Sequence, residues 1–251
     1  MQKRLRQIGQ RSQGIIIDTT NYITHELGHP CHAFDYDKLM ALGGKIIITQ
    51  AESGKSFTTL DGVKHQTKGS EIIFTSSTGE IIDLPAIMGT ANTSIDANTT
   101  RVLFWLENLN ATSVRQASMQ HAIRTQAAVL NEKSVDPELM EETLALGVQL
   151  LLKYAHGRLV SKTLEYRSAN QDSTPVITLD FTRLTAYLGI TLPATTVIAL
   201  LTRLGFTLQE QTSTYLRVLV PSWRQVDVSS SEDLIEEIEV EIGRASCRER
   251  V

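Results

Sequence analysis

Ile15, Ile16 and Ile17 form the first apolar run of the chain, and a continuous β-branched stretch predicts a buried strand over residues 14–18. The polar residues 1–13 before it, with Lys3, Arg4, Arg6 and Arg11, predict a solvated helix or arm. Residues 19–28 predict a short helix capped by Thr19 or Thr20. Apolar runs at residues 44–50 and 101–106 predict two further strands. Thr59-Leu60-Asp61-Gly62-Val63 carries an Asp-Gly hairpin signal, and residues 71–75 and 80–83 pair naturally across Thr78-Gly79.

The period then lengthens. Residues 111–122 predict a helix, and residues 137–155 give the clearest helix of the chain. Asp136-Pro137 starts it, and Glu138, Glu141 and Glu142 load its first turns. Leu144, Leu146, Val148, Leu150, Leu151 and Leu152 form its apolar side, and Gly157 ends it. Residues 158–166 predict a returning strand. An α+β domain over residues 1–168 follows, closed by a polar linker at 169–175. Beyond it come a strand (176–179), a short helix (182–188) ended by Gly189, and a helix (194–204) ended by Gly205. A hairpin (206–210 and 214–220) completes the run. Helix–helix–hairpin–helix order predicts a small winged-helix-like α/β domain over residues 176–240.

A chain of 251 residues accommodates two modest domains, and 41% hydrophobic with 21% charged residues is a globular composition. The formal net charge of -4 does not announce a nucleic-acid binder, so any RNA contact would be local. Two distant cysteines, Cys31 and Cys247, make no disulfide framework and fit a reducing compartment. No apolar run is long enough to span a bilayer, and residues 1–11 lack the apolar core of a secretion signal; the expected location is cytoplasmic.

The richest stretch for chemistry is residues 21–35, which holds His25, His29 and His32. His25-Glu26-Leu27-Gly28-His29 matches the H-E-x-x-H pattern of zinc peptidases. That chemistry needs both histidines on one helix face, four residues apart. Pro30 opposes it, because the residue before a proline is pushed out of the helical region, and that residue is His29. Polar residues capping a short helix and a turn are the competing reading.

Several collinear stretches resemble the beta subunit of bacterial phenylalanine–tRNA ligase. In the first domain they are Asp18-Thr19-Thr20-Asn21-Tyr22, the run from Glu26 through Pro30 to Asp35, Thr59-Leu60-Asp61-Gly62, Ala86-Ile87-Met88-Gly89, Ser113-Val114-Arg115, Arg124-Thr125-Gln126-Ala127 and Val135-Asp136-Pro137. In the second they are Leu204-Gly205-Phe206, Val220-Pro221-Ser222-Trp223-Arg224, Asp227 and Glu232-Asp233-Leu234-Ile235-Glu236-Glu237. The resemblance implies part of one chain of an α2β2 ligase: an aminoacyl-editing domain, then the small domain that precedes a catalytic-like region. ATP and the charging reaction would belong to the alpha subunit, and tRNA would be the shared partner. Editing has a physical reason, since an apolar pocket rejects an added hydroxyl poorly and tyrosine mischarged onto tRNA needs a second, hydrolytic site.

By motif the resemblance puts Arg11, Thr20, Asn21, His32, Thr125 and Ala127 at editing-pocket positions, with Ala86 and Trp105 beside the substrate. Arg11 would hold the terminal nucleotide. Asn21, Thr20 and Thr125 would orient the ester or a water, and His32 would contact substrate or order water. Asp227, Asp233, Glu236 and Glu237 resemble magnesium ligands shared with the alpha subunit; the last three lie at i, i+3 and i+4. Trp105 stands where the family usually has a glutamate that accepts a hydrogen bond from the tyrosine phenol, and an indole only donates. Ala86 replaces a usual glycine. Glu107 is the candidate substitute, about 7 Å further along an extended strand. The domain is therefore expected to keep the editing fold and hydrolyse Tyr-tRNA poorly; a non-catalytic module of the same fold is the alternative. The family has an RNA-binding region before this part, and catalytic-like and anticodon-binding domains after it. Residues 241–251 leave the family pattern and resemble a translated sequencing adapter, so they are expected to stay out of the core.

Overall fold

The structure, a computed structural model, describes residues 1–166 and 174–248, with side chains in the last helix described as far as Gly243. Most of the expected linker and the last three residues lie outside this range. The chain divides into two compact units, Met1–Lys162 and Thr163–Val251.

The first unit opens with helix α1 (Gln2–Gln7) and a loop, and then departs from the strand expected at residues 14–18. The isoleucines begin helix α2 (Ile15–Leu27). The reason is Asp18. It is fully buried in the first helical turn, where its carboxylate accepts the Gln13 N–H at 2.8 Å, the Ser12 hydroxyl at 2.6 Å and the Gln2 amide at 3.2 Å. These bonds tie up the loop before the helix, and a carboxylate there suits the helix dipole. Local bonding and tertiary packing thus override the β preference of isoleucine.

Strand β1 (His32–Asp35) pairs antiparallel with β8 (Val102–Trp105), in a register that sets His32 opposite Trp105. Between them in sequence lie α3 (Tyr36–Ala41), β2 (Ile47–Gln50), β3 (Ser56–Thr58), β4 (Lys64–Gln66), β5 (Ile72–Thr75), β6 (Ile81–Leu84) and β7 (Met88–Gly89). The Asp-Gly turn joins β3 and β4, with Asp61 accepting the Thr59 hydroxyl and the Val63 N–H. Strands β2-β5-β6-β7 form an antiparallel sheet in that order. Side chains standing as caps start the next helices: Asp35 for α3, Asn110 for α4 (Ala111–His121) and Thr125 for α5 (Gln126–Asn131). Each such cap is worth about 1 kcal/mol.

Helix α6 (Leu139–Tyr154) packs on α2, and its buried residues are Thr143 and Gly147 rather than the leucines, which stay half-buried or exposed. Gly147 is there for room, since a Cβ would lie 2.3 Å from the Phe104 ring and 3.3 Å from Ile23. The strand expected at residues 158–166 does not form. The chain there runs without regular secondary structure, and Leu159, Val160, Leu164 and Tyr166 are all exposed.

The second unit holds β9 (Val176–Asp180), α7 (Phe181–Leu188), α8 (Ala194–Arg203), β10 (Thr207–Gln211), β11 (Tyr215–Leu219) and α9 (Ser231–Arg248). Its sheet runs β10-β11-β9, all antiparallel. Leu179, Val197, Leu216, Val220, Leu234 and Ile238 are fully buried in one core with their neighbours. The element order is the expected one, so the chain is α+β throughout. Its end is not as expected. Helix α9 continues past Val240, Ile242 packs against the core, and Glu241 pairs with Arg203 at 2.6 Å. Residues 241 and 242 therefore belong to the folded unit. An apolar side chain one turn beyond Ile238 extends the buried face of the helix.

Candidate functional site

The zinc-motif geometry fails on α2. The helix ends at Leu27, Gly28 takes the left-handed cap at φ 77°, and His29 lies beyond it. His29 is fully buried, with Nδ1 2.9 Å from the Pro30 carbonyl oxygen, and burial lowers its pKa. His25 and His29 therefore never share a helix face. Among the described residues no three His, Cys, Asp or Glu side chains group as metal ligands.

Three other candidates of the first unit, Thr20, His32 and Thr125, make short contacts to neighbouring segments. On α2, the Thr20 hydroxyl donates to Ile17 O at 2.9 Å, and the Thr20 carbonyl accepts the Cys31 thiol at 3.5 Å. Asn21 follows on the same helix, half-buried. Burial pushes the Cys31 thiol up to about 12. His32 begins β1, and its ring packs so close to Gly89 that a Cβ there would lie 2.8 Å from it. Burial lowers His32 to about 4, so its imidazole is neutral at neutral pH and can order a water by hydrogen bonding. From the turn before Gly89, the Ile87 carbonyl accepts the Thr125 hydroxyl at 2.6 Å, while Thr125 Oγ1 caps α5 by accepting the Ala128 N–H at 3.1 Å. Ala127 sits half-buried in the first turn of α5. Arg11 stands apart, exposed in the loop before α2.

Trp105 lies across β1 from His32, with its ring edge-on to Phe34 and Phe74 at centroid distances of 6.2 and 5.5 Å. It is half-buried, fills apolar space, and holds its indole N–H in a shielded place without a hydrogen-bond partner. Glu107 does not continue the strand, because β8 ends at Trp105. The 7 Å offset of an extended chain therefore does not apply. Glu107 Oε1 accepts the Ala86 N–H at 2.7 Å, Oε2 is shielded without a partner, and the indole N–H tempers the carboxyl from nearby without closing a bond. Burial raises Glu107 to about 7, against the Ala86 bond. Asp83 on β6 is pushed well up, first by burial and then by the Glu107 charge. Ala86 itself has φ +61°, so the usual glycine there answers a left-handed backbone rather than a close approach.

In the second unit the four acidic candidates do not converge on one point. Arg224 takes Asp227 through Nε at 3.0 and 3.1 Å, and Glu237 through Nη1 at 3.2 Å and Nη2 at 2.5 Å. Asp233 caps α9, its Oδ2 accepting the Ser229 and Ser230 N–H groups at 2.8 Å each. Those two amides and the Ser230 hydroxyl hold the Asp233 carboxyl below its ordinary range. Glu236 is exposed. Arg224 thus bridges two of the four, and the residues as arranged in this chain do not fit a magnesium ion.

Residues 1–156 match the B3/4 domain, and residues 177–243 match the tRNA synthetase B5 domain. The chain belongs to the B3/4 domain family. It is 35% identical over 239 residues to the phenylalanine–tRNA ligase beta subunit of Geobacillus kaustophilus, covering 95% of this chain and 29% of that one. It is 36% identical over 244 residues to the same subunit of Carboxydothermus hydrogenoformans, with the same coverage. The chain spans less than a third of the length of these relatives. A solved N-terminal fragment of the Pyrococcus horikoshii phenylalanyl-tRNA synthetase beta-subunit aligns over 91% of this chain and 65% of that one, at 16% identity and a TM-score of 0.44. No helix among the described residues is long and apolar enough to cross a membrane.

The B3/4 domain also holds polar groups that pattern reading passed over. Asp83 had a signal, a carboxylate inside the aliphatic strand Ile81-Ile82-Asp83-Leu84. Glu71 and His121 form a buried pair at 2.9 Å, their side chains 0% and 1% exposed. Burial alone would raise Glu71; its own amide, the Lys68 N–H, His121 and the Ser70 N–H hold it down at about 2. Neither residue had a local signal, being fifty positions apart. An open cleft of about 670 Å³ runs between Lys55, Phe57, Glu80 and Asn92, and none of the candidate residues lines it. In the B5 domain the spacing of Arg224 to Asp227 is that of an i, i+3 ion pair.

Proposed function

We propose that this chain is part of a phenylalanine–tRNA ligase beta subunit and that its B3/4 domain hydrolyses tyrosine mischarged onto tRNA, slowly. The whole enzyme would pair it with an alpha subunit in an α2β2 assembly that carries the ATP-dependent charging reaction, its magnesium and its share of the tRNA. The observation that carries the reading is that three residues resembling editing positions each make a short contact to a neighbouring element or segment: Thr20 O to Cys31, the His32 ring to Gly89, and the Thr125 hydroxyl to the Ile87 carbonyl. Neutral His32 and half-buried Asn21 would orient the water and the ester. Thr20 and Thr125 would act through their free lone pairs, since both hydroxyl protons already go to carbonyls.

Slow hydrolysis follows from Trp105. Its ring occupies apolar space against Phe34 and Phe74, and its only polar group is a donor, so it cannot accept a bond from a phenol. The test is deacylation of preformed Tyr-tRNA by the α2β2 enzyme, wild type against Trp105→Glu. The variant should be faster. Wild-type hydrolysis as fast as in an enzyme with the usual glutamate would sink the claim of slowness. A second reading, a non-catalytic module that binds tRNA or a partner chain, is favoured by the prior engagement of both threonine hydroxyls; it would give no deacylation in either variant.

A further inference from the structure

We propose that Glu107 is a positioning residue of this site: its carboxylate pins the turn at Ala86 and Ile87, and through the Ile87 carbonyl it sets the Thr125 hydroxyl. The proposal rests on the editing reading of the B3/4 domain for its function, but its geometry stands by itself. Every link is short. Glu107 Oε1 receives the Ala86 N–H at 2.7 Å, and Ile87 O receives Thr125 Oγ1 at 2.6 Å. Thr125 Oγ1 in turn receives the Ala128 N–H at 3.1 Å, which joins the turn to α5.

The turn needs a pin. Ala86 is a buried residue with a side chain in the left-handed region, a conformation that glycine adopts freely and alanine resists. A hydrogen bond from its N–H to an ionised acceptor is about twice as strong as one to a neutral group. The strength of the pin therefore follows the charge on Glu107. The groups facing that charge are Asp83 from β6, Cys31 from the segment before β1, and the Trp105 indole N–H from the end of β8. Burial and the Glu107 charge push Asp83 up, and burial pushes Cys31 up; both groups are acids, so neither offers Glu107 a positive partner. With Glu107 raised to about 7, the pin tightens as pH rises through neutrality.

Two measurements test this. In the 251-residue chain, the amide resonances of Ala86 and Ala128 should shift together with one inflection near pH 7. Glu107→Gln, which keeps the acceptor oxygen and cannot ionise, should abolish both shifts, whereas Asp83→Asn should retain them. In the α2β2 enzyme, Tyr-tRNA deacylation, corrected for uncatalysed ester hydrolysis, should rise through the same pH and flatten in Glu107→Gln. Glu107→Ala should fall about tenfold, the loss expected of one charge-assisted bond, with Glu107→Gln partly restoring it. The proposal is overturned if the Ala128 amide ignores the Glu107 titration, or if Glu107→Ala deacylates like wild type. If neither wild type nor Trp105→Glu deacylates at any pH, the editing reading fails, and the amide titration alone decides whether the pin exists.

Discussion

One acidic cluster in each domain stands in the opposite state to the other. In the B3/4 domain Asp83 and Glu107 are shielded from water, face only neutral groups and each other, and are pushed towards their protonated forms. In the B5 domain Asp227 and Glu237 close on Arg224, whose own pKa the pair raises, Glu237 first, and Asp233 is held ionised by backbone amides. The residue type is the same, and its state follows from what desolvates it and what donates to it. A resemblance between sequences carries over residue types at positions. It does not carry over their charge.

Four variants would break or sharpen this contrast. The largest effect belongs to Trp105→Glu, which removes a packed indole and adds a third carboxyl beside Asp83 and Glu107. Unfolding of the B3/4 domain should become easier by about 4 kcal/mol at pH 8 and by less at pH 5, measured by denaturant titration at both. Equal destabilisation at the two pH values would show that the new carboxyl finds water.

The Asp83→Asn, Glu107→Gln double variant comes next. A carboxyl whose folded pKa is raised contributes stability that is fully present below its unfolded pKa of about 4.3 and is lost as pH rises through the folded value. For Glu107 that window runs up to about 7. The double variant should therefore gain on the order of 3 kcal/mol over wild type at pH 8 and little at pH 4.

Arg224→Met should weaken the B5 domain by about 2 kcal/mol at pH 7, because two carboxylates lose one half-buried guanidinium. It should also tighten magnesium binding, which calorimetry of the wild-type chain should find weaker than millimolar. Submillimolar binding to wild type would mean that Arg224 yields its place. The smallest effect is Asp233→Ala, about 1 kcal/mol for a lost cap. Because the folded pKa of Asp233 is lowered, that difference is present above its unfolded pKa of about 3.9 and disappears as pH falls below it.

Sequence reading reached those elements whose signal is local. The Asp-Gly hairpin, the pairing across Thr78-Gly79, the Asp136-Pro137 helix start and the glycine stops at Gly28 and Gly189 each lie within a few residues of the structure they dictate. It failed where distant groups decide. The isoleucines at 15–17 have strand propensity, and the buried Asp18 with its loop partners makes them helical. Residues 158–166 read as a strand, but a strand needs a neighbouring strand, and no strand is formed there among the described residues.

The candidate site divides in the same way. Position and residue type are read from the chain: the family resemblance assigns Thr20, His32, Ala86, Trp105 and Thr125 to editing-pocket positions, and Pro30 already opposed the zinc geometry that the Gly28 cap excludes. Which groups meet was decided by the fold. Ending β8 at Trp105 brings the Glu107 carboxylate back to Ala86 instead of leaving it 7 Å along a strand, and the turn before α9 delivers Arg224 to two carboxylates. Spacing within one segment is set by covalent geometry and helix or strand period, so a sequence determines it. Burial and charge compensation arise between segments, and only tertiary structure brings those segments together.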